Sequence, residues 1–255
     1  MLLFFSIVIF TLVVHFIYWK NSDELNPNIL KLKHIAHRGY TGNAPENTLE
    51  SVVAAIEQGF SWVELDVIST KDCQIICSHN FDLERETDGR GFINQLEYKD
   101  IKPLSTGIYL KGIDSCSIPL LDDIVKKHKN NISFNLEIKS NKLFELKTAR
   151  VLGRYLGSAQ GINVIVSSFN PMVVLFFKIF YKGIKTGFLF ENKNYLMIAS
   201  LIHPHFIHPR VDLLNEKIIS YSKKHNVGIN VWTVDNVPVR EFCEALPISG
   251  LITDI

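Results

Sequence analysis

Apolar residues run almost unbroken from Leu2 to Trp19, interrupted only by Ser6, Thr11 and His15, and the chain after Asn21 follows a different rhythm. At 1.5 Å per residue the first run gives about 27 Å of helix, enough to span a bilayer, and it predicts a single transmembrane anchor over residues 1–20. Tyr18, Trp19 and Lys20 supply the aromatic and basic flank of an interfacial end, while the Met1-Leu2 start lacks the basic residue of a cleaved signal. Lys20, Lys31 and Lys33 lie on one side of the span, a small bias toward a cytoplasmic domain that leaves the side open. Residues 21–32, polar and carrying Asp23, Glu24 and Pro27, read as a linker.

From residue 33 to 255 short apolar runs alternate with amphipathic stretches, the pattern of βαβ units around a parallel sheet. Core strands are expected near 33–37, 62–67, 133–138, 163–167, 184–189, 205–208, 228–233 and 250–252. Helices are expected near 48–58, 120–129, 142–157, 170–181, 213–225 and 236–245. Eight such strands make a (β/α)8 TIM barrel. A further strand near 74–78 forms a hairpin with the second one. Residues 80–118 lose the alternation and read as a small insertion that caps the C-terminal face.

Composition narrows the function classes. The chain has 255 residues, 47% of them hydrophobic, and a net charge of +1 with both signs interspersed. That excludes a disordered protein and the broad basic surface of a nucleic-acid binder, so any phosphate recognition is local. Cys73, Cys77, Cys116 and Cys243 show no paired metal-site spacing and read as plain thiols. Oligomeric state is not readable.

The residue pattern carries its chemistry at strand ends. In Glu64-Leu65-Asp66 alternation sends both carboxylates to one face, where they repel unless a cation sits between them; a solvated strand end is the alternative. Glu137-Ile138-Lys139 repeats the arrangement with a carboxylate and an ammonium, either a salt bridge or a hard-oxygen ligand beside a phosphate-binding lysine. His37-Arg38-Gly39 follows the first strand and offers a proton shuttle, a planar fork for phosphate and a tight turn. His79 ends the hairpin strand and supplies a second imidazole. His203, His205 and His208 are interleaved with Pro204 and Pro209, which places them at least partly in loops rather than in a metal cluster.

His37-Arg38-Gly39, Ala44-Pro45-Glu46-Asn47-Thr48, Glu64-Leu65-Asp66 and Ser78-His79 occur in that order. They are followed by Ile118-Pro119-Leu120, Glu137-Ile138-Lys139, Ser168-Phe169, Val231-Trp232-Thr233-Val234 and Gly250-Leu251-Ile252-Thr253-Asp254. The ordered set resembles the glycerophosphodiester phosphodiesterase family over nearly everything after residue 33. The resemblance implies a TIM barrel with a small insertion. It implies His37 and His79 as the acid/base pair, and Glu64, Asp66 and Glu137 as ligands of Ca²⁺ or Mg²⁺, with Glu46 as a supporting or fourth ligand. Arg38 and Lys139 would hold phosphate, and Trp232 would wall the glycerol pocket. The implied reaction is metal-dependent hydrolysis of a glycerophosphodiester to glycerol 3-phosphate and an alcohol. Lysophospholipase D action on membrane lysophospholipids is the alternative, motivated by the anchor and by an apolar groove lined by residues such as Phe188, Phe190 or Tyr195. A catalytically inactive binding domain is disfavoured, because each of these polar groups would be costly to bury without a ligand. Where the family continues into a last helix this sequence ends at Ile255, so the groove there is expected to be covered by residues 21–32 or open.

Overall fold

The computed structural model describes residues 6, 10, 11, 14–21 and 33–255. Its parallel strands are β1 (Lys33–Ala36), β2 (Trp62–Ser69), β3 (Ser133–Ile138), β4 (Val164–Ser168), β5 (Lys185–Phe190), β6 (Phe206–Pro209), β7 (Gly228–Val231) and β8 (Gly250–Thr253). Each pairs with the next, and β8 returns to β1 with Lys33 opposite Gly250 and Ala36 opposite Thr253, so the sheet closes into an eight-stranded barrel. The outer helices are α1 (Leu49–Glu57), α2 (Leu121–His128), α3 (Lys147–Ser158), α4 (Pro171–Phe180), α5 (Leu196–Ile202), α6 (Glu216–His225) and α7 (Val237–Glu244). The TIM-barrel architecture read from the alternation is the one observed.

Strand alternation decides what each face buries. Val63, Leu65 and Val67 of β2 pack outward with Phe134, Leu136 and Ile138 of β3 against the helices. The inward set begins with a plug of Ile35, Trp62, Ile165, Phe206 and Ile252. On β2 the residues sharing the inward face with Trp62 are Glu64 and Asp66, so the apolar plug fills the N-terminal end and the carboxylates emerge above it. All eight residues of β2 are buried, as expected for a barrel strand covered on both faces. Each large apolar side chain so enclosed contributes about 1.5–3 kcal/mol.

Helix starts follow the capping chemistry. Asn170 caps α4 and is followed by Pro171 at the first turn, and Asn215 caps α6 with two backbone N–H donors. Helix α5 was not anticipated. It has no side-chain cap and leaves Met197 and Leu201 exposed, so it lacks both a start signal and a polar face. The expected start of α3 at 142 is early by more than a turn, since the helix begins at Lys147. Asn170 Nδ2 donates to the carbonyls of Lys142 and Leu143, holding that stretch out of the helix.

Beyond β2, strand Ile75–Cys77 pairs antiparallel with its end, Val67 opposite Cys77. Residues 79–119 then cross the top of the barrel and bury their own small core of Leu83, Ile93, Ile101 and Ile118 on Ile68 and Ile76.

The N-terminal expectation needs correction. Among the described residues no helix is long and apolar enough to cross a membrane, so the single-pass membrane placement does not stand. Much of the proposed anchor, and residues 22–32 of the proposed linker, lie outside the described residues. Trp19 and Asn21, at the end of the apolar run, dock on the barrel. Trp19 is 8% exposed and is stacked between the rings of His203 and His225, with centroids at 4.2 and 4.6 Å. His225 Nδ1 lies 2.8 Å from the Trp19 carbonyl, and Asn21 donates to the carbonyls of His225 and Pro204. An aromatic and polar flank suits a bilayer interface and a protein groove equally well, and here α5 and α6 supply the partner. Phe188 and Phe190 are likewise not groove residues; both are fully buried under these helices. The groove at the β8–β1 seam is lined by His34, Tyr40, Phe60, Arg240 and Ile255.

Candidate active site

Two loops lock together at the top of β1 and β2. Arg38 (φ +54°) and Gly39 (φ +85°) turn the chain sharply after β1, and a Cβ on Gly39 would sit 2.1 Å from Ser51 Oγ. The Arg38 carbonyl accepts from the Asn47 N–H at 2.8 Å and from Ser51 Oγ at 3.0 Å. Thr48 caps α1 in a reciprocal box with Ser51. That leaves Asn47, itself left-handed at φ +58°, to grip Asp66: its Oδ1 accepts from the Asp66 N–H at 2.9 Å and its Nδ2 donates to Asp66 Oδ2 at 3.0 Å. Two adjacent non-glycine residues in a strained conformation next to buried charge are typical of a functional site.

The buried carboxylates form one cluster. Glu64, Asp66 and Glu137 each place an oxygen within 4.8 Å of the others, and each is less than 10% exposed. The register explains it, since Asp66 of β2 sits directly opposite Glu137 of β3. Burial and the charges of Asp66 and Glu137 push Glu64 well above the usual carboxylate range. Burial also raises Glu137. Asp66 moves the other way: burial would raise it, but Lys139 and Arg38 outweigh that and hold it ionised. Lys139 lies 2.9 Å from Glu137 and 3.4 Å from Asp66, and Arg38 Nε lies 3.4 Å from Asp66. The backbone N–H of Arg38 donates to Glu64 Oε2 at 3.0 Å, whereas Glu64 Oε1 is buried without a protein partner.

The imidazoles flank this floor. His37 Nδ1 is 2.9 Å from Asp254 Oδ1, which fixes the ring. Burial lowers His79 to about 4, so it is a neutral imidazole at pH 7. Higher up, Glu46 takes two 2.8 Å hydrogen bonds from Arg38 and, with His79 and Glu86, forms a second group of ligand-type atoms. Burial and Glu46 raise Glu86 to about 7, and Asn80 donates to it. A cleft of about 490 Å³ opens above these groups, lined by His37, Arg38, Glu46 and Asp254 on one side and by Glu86 and Tyr109 on the other.

The structure thus brings His37, Arg38, Glu46, Glu64, Asp66, His79, Glu137 and Lys139 to one end of the barrel. Trp232 stands apart from the cleft lining; its indole N–H donates to the His208 carbonyl at 2.7 Å and its ring meets Phe169 edge-on at 5.3 Å. The three spaced histidines do not converge. His203 stacks on Trp19, His205 Nδ1 accepts from the Thr186 N–H, and His208 is enclosed in the barrel beside Asn230. Sequence reasoning missed Asp254 as a partner of His37, Asn47 as the clamp on Asp66, and Glu86. The first two sit in motifs already singled out; Glu86 lies in a turn-rich segment with no periodicity to aim it.

The model of the glycerophosphoryl diester phosphodiesterase family matches residues 37–255. The chain belongs to that family. It is therefore a phosphoric diester hydrolase for glycerophosphodiesters. It is 30% identical to the Bacillus subtilis protein YhdW over 232 residues, 86% of this chain and 93% of that one. It is also 30% identical to human lysophospholipase D GDPD1, over 131 residues that cover 48% of this chain and 41% of that one. An Oleispira antarctica phosphodiesterase, solved with the product sn-glycerol-3-phosphate, superposes with a TM-score of 0.76 at 24% identity, covering 87% of this chain and 92% of that one; this likeness shows the fold.

Proposed function

We propose that the cluster of Glu64, Asp66 and Glu137 holds a divalent cation, Ca²⁺ or Mg²⁺, and that His37 and His79 carry the proton transfers of glycerophosphodiester hydrolysis. The observation that carries this reading is the unpartnered, buried Oε1 of Glu64 among three mutually repelling carboxylates. Such a donor set suits a hard cation, and removing it would leave the cluster costly. When bound, the cation supplies charge stabilisation at the phosphoryl oxygens.

The protein groups do the rest. Arg38 and Lys139 border the same floor and orient the phosphodiester, Arg38 through its planar fork and Lys139 as a point charge. Their own pairing with Asp66 keeps both in place before substrate arrives. His79, neutral and half-buried, accepts the proton of the attacking hydroxyl, either water or the glycerol 2-hydroxyl; in the second case the alcohol leaves a cyclic glycerol phosphate, which water then opens to glycerol 3-phosphate. His37 donates to the leaving alcohol oxygen, and Asp254 on its Nδ1 orients the ring. Trp232 lies outside the residues that line the cleft, so no substrate contact is assigned to it.

The test is phosphorus NMR of glycerophosphocholine incubated with the protein in Mg²⁺ or Ca²⁺. Glycerol 3-phosphate should accumulate, chelation should stop it, and His37→Ala or His79→Ala should slow it by about 10²-fold or more. Turnover that survives chelation and both substitutions would refute the assignment.

A second reading, lysophospholipase D, draws support from the exposed Phe92, Ile108, Tyr109 and Leu110 of the segment over the cleft, where Tyr109 and Leu110 also line it. An acyl chain would find apolar surface there. Lysophosphatidylcholine offered in parallel separates the two.

A further inference from the structure

The cleft above the carboxylate floor has a lip whose chemistry hydrolysis does not require. On one side stand Ala44 and Pro45, and on the other Arg85, Glu86, Tyr109 and Leu110 from the segment that crosses the barrel top. The two sides are in tight contact: a Cβ on Gly107 (φ +78°) would lie 2.4 Å from Pro45 Cγ, so the lip is closely packed rather than a loose loop. Glu86 is fixed twice, by Asn80 donating to its carboxylate and by the Gly107 N–H donating to its carbonyl at 2.8 Å. The cation whose field reaches it, Arg38, already spends its guanidinium on Glu46 and Asp66. Arg85, its neighbour in sequence, turns its guanidinium to Asp82 at 3.5 Å.

The charges of the whole site point the same way. Glu46, Glu64, Asp66, Glu86 and Glu137 face Arg38 and Lys139. With all five ionised, a divalent cation on the floor together with Arg38 and Lys139 offsets four of the five charges, and the phosphodiester adds one more negative charge. A group entering past Glu86 is therefore stabilised if it carries positive charge, and Tyr109, 66% exposed, offers an aromatic face in the lining of the same cleft.

We propose that Glu86 is a specificity-determining residue that selects glycerophosphodiesters whose leaving alcohol is cationic, a quaternary or primary ammonium alcohol, over those with a neutral polyol. This rests on the hydrolase reading above and deepens it: the phosphate sits on the floor, and the leaving alcohol points outward between Glu86 and Tyr109. The placement belongs to the glycerophosphodiester reading; in the lysophospholipid reading Tyr109 and Leu110 would face the acyl chain, on the glycerol side of the phosphate, instead.

The experiment compares kcat/KM for glycerophosphocholine, glycerophosphoethanolamine and glycerophosphoglycerol in the wild type, Glu86→Gln and Tyr109→Leu, with thermal melts confirming that each variant is folded. Calorimetry of glycerophosphocholine binding to a His79→Ala protein, with and without Glu86→Gln, gives a readout independent of turnover. The wild type should prefer the two cationic substrates, and Glu86→Gln should cut that preference about tenfold, chiefly through KM, with a matching loss of affinity in the inactive background. Tyr109→Leu should cost glycerophosphocholine more than glycerophosphoglycerol. A uniform loss on all three substrates would overturn the proposal while leaving the hydrolase assignment intact. So would a change in the number of divalent cations bound, which would make Glu46, His79 and Glu86 a second metal site. Failure of the wild type to cleave any of the three would overturn both.

Discussion

The floor and the lip of this site both gather carboxylates, yet they are built by different means. On the floor, Glu64, Asp66 and Glu137 come from barrel strands whose register sets their spacing, and they are nearly inaccessible to water. At the lip, Glu46 and Glu86 come from loops, are half-buried, and depend on Arg38 and Asn80 for their positions. Buried charges in register behave as a unit with whatever neutralises them, whereas charges at a partly solvated rim are worth less individually and can vary without disturbing the barrel. In the proposed account the chemistry belongs to the floor and discrimination to the lip.

Substitutions can break that comparison. The largest effect is expected at Asp66, which touches Asn47, Arg38 and Lys139 at once: Asp66→Asn should lower glycerol 3-phosphate release by on the order of 10³-fold, measured in steady state. Next comes His79→Gln, which removes the proposed base without adding charge and should cost about 10²-fold. Asn47→Ala should act mainly on stability. It removes two hydrogen bonds to a buried carboxylate and should lower unfolding free energy in urea by about 2–3 kcal/mol, with activity falling alongside as Asp66 loses its clamp. Glu46→Gln, at the lip, should cost less than about tenfold; a loss as large as that of Asp66→Asn would move Glu46 onto the floor.

The smallest effect at neutral pH concerns His208. Burial holds it at about 3, well below an ordinary histidine, so in acid the unfolded chain takes up a proton near pH 6.5 that the folded chain refuses until about 3. Stability should therefore fall as pH drops through that window. His208→Gln should flatten this part of the profile in urea titrations at several pH values.

The floor was legible because alternation is a rule of two: once Trp62-Val63 is a buried strand, Glu64 and Asp66 must share a face. Strand order and closure followed from the repeated βαβ rhythm. What escaped lacked such periodicity. The α5 helix is apolar on both faces and uncapped, so nothing marks its start. The pairing of Asp254 with His37 joins the first and last strands of the barrel across a sequence separation of 217, and no local pattern reports it. Glu86 is aimed by the fold of an irregular segment. Trp19 misled for a different reason: the apolar and aromatic run that fits a bilayer also fits the space between two histidine rings, and composition alone does not distinguish a lipid from a protein partner.

The most direct test of the central claim is calorimetric titration of metal-free protein with Mg²⁺ and Ca²⁺, repeated on Glu137→Gln and Glu64→Gln. The account predicts one divalent cation bound by the wild type, its affinity falling by at least about tenfold in either variant, with hydrolysis tracking occupancy. A wild type that cleaves glycerophosphocholine with no cation bound, or variants that bind it unchanged, would contradict it.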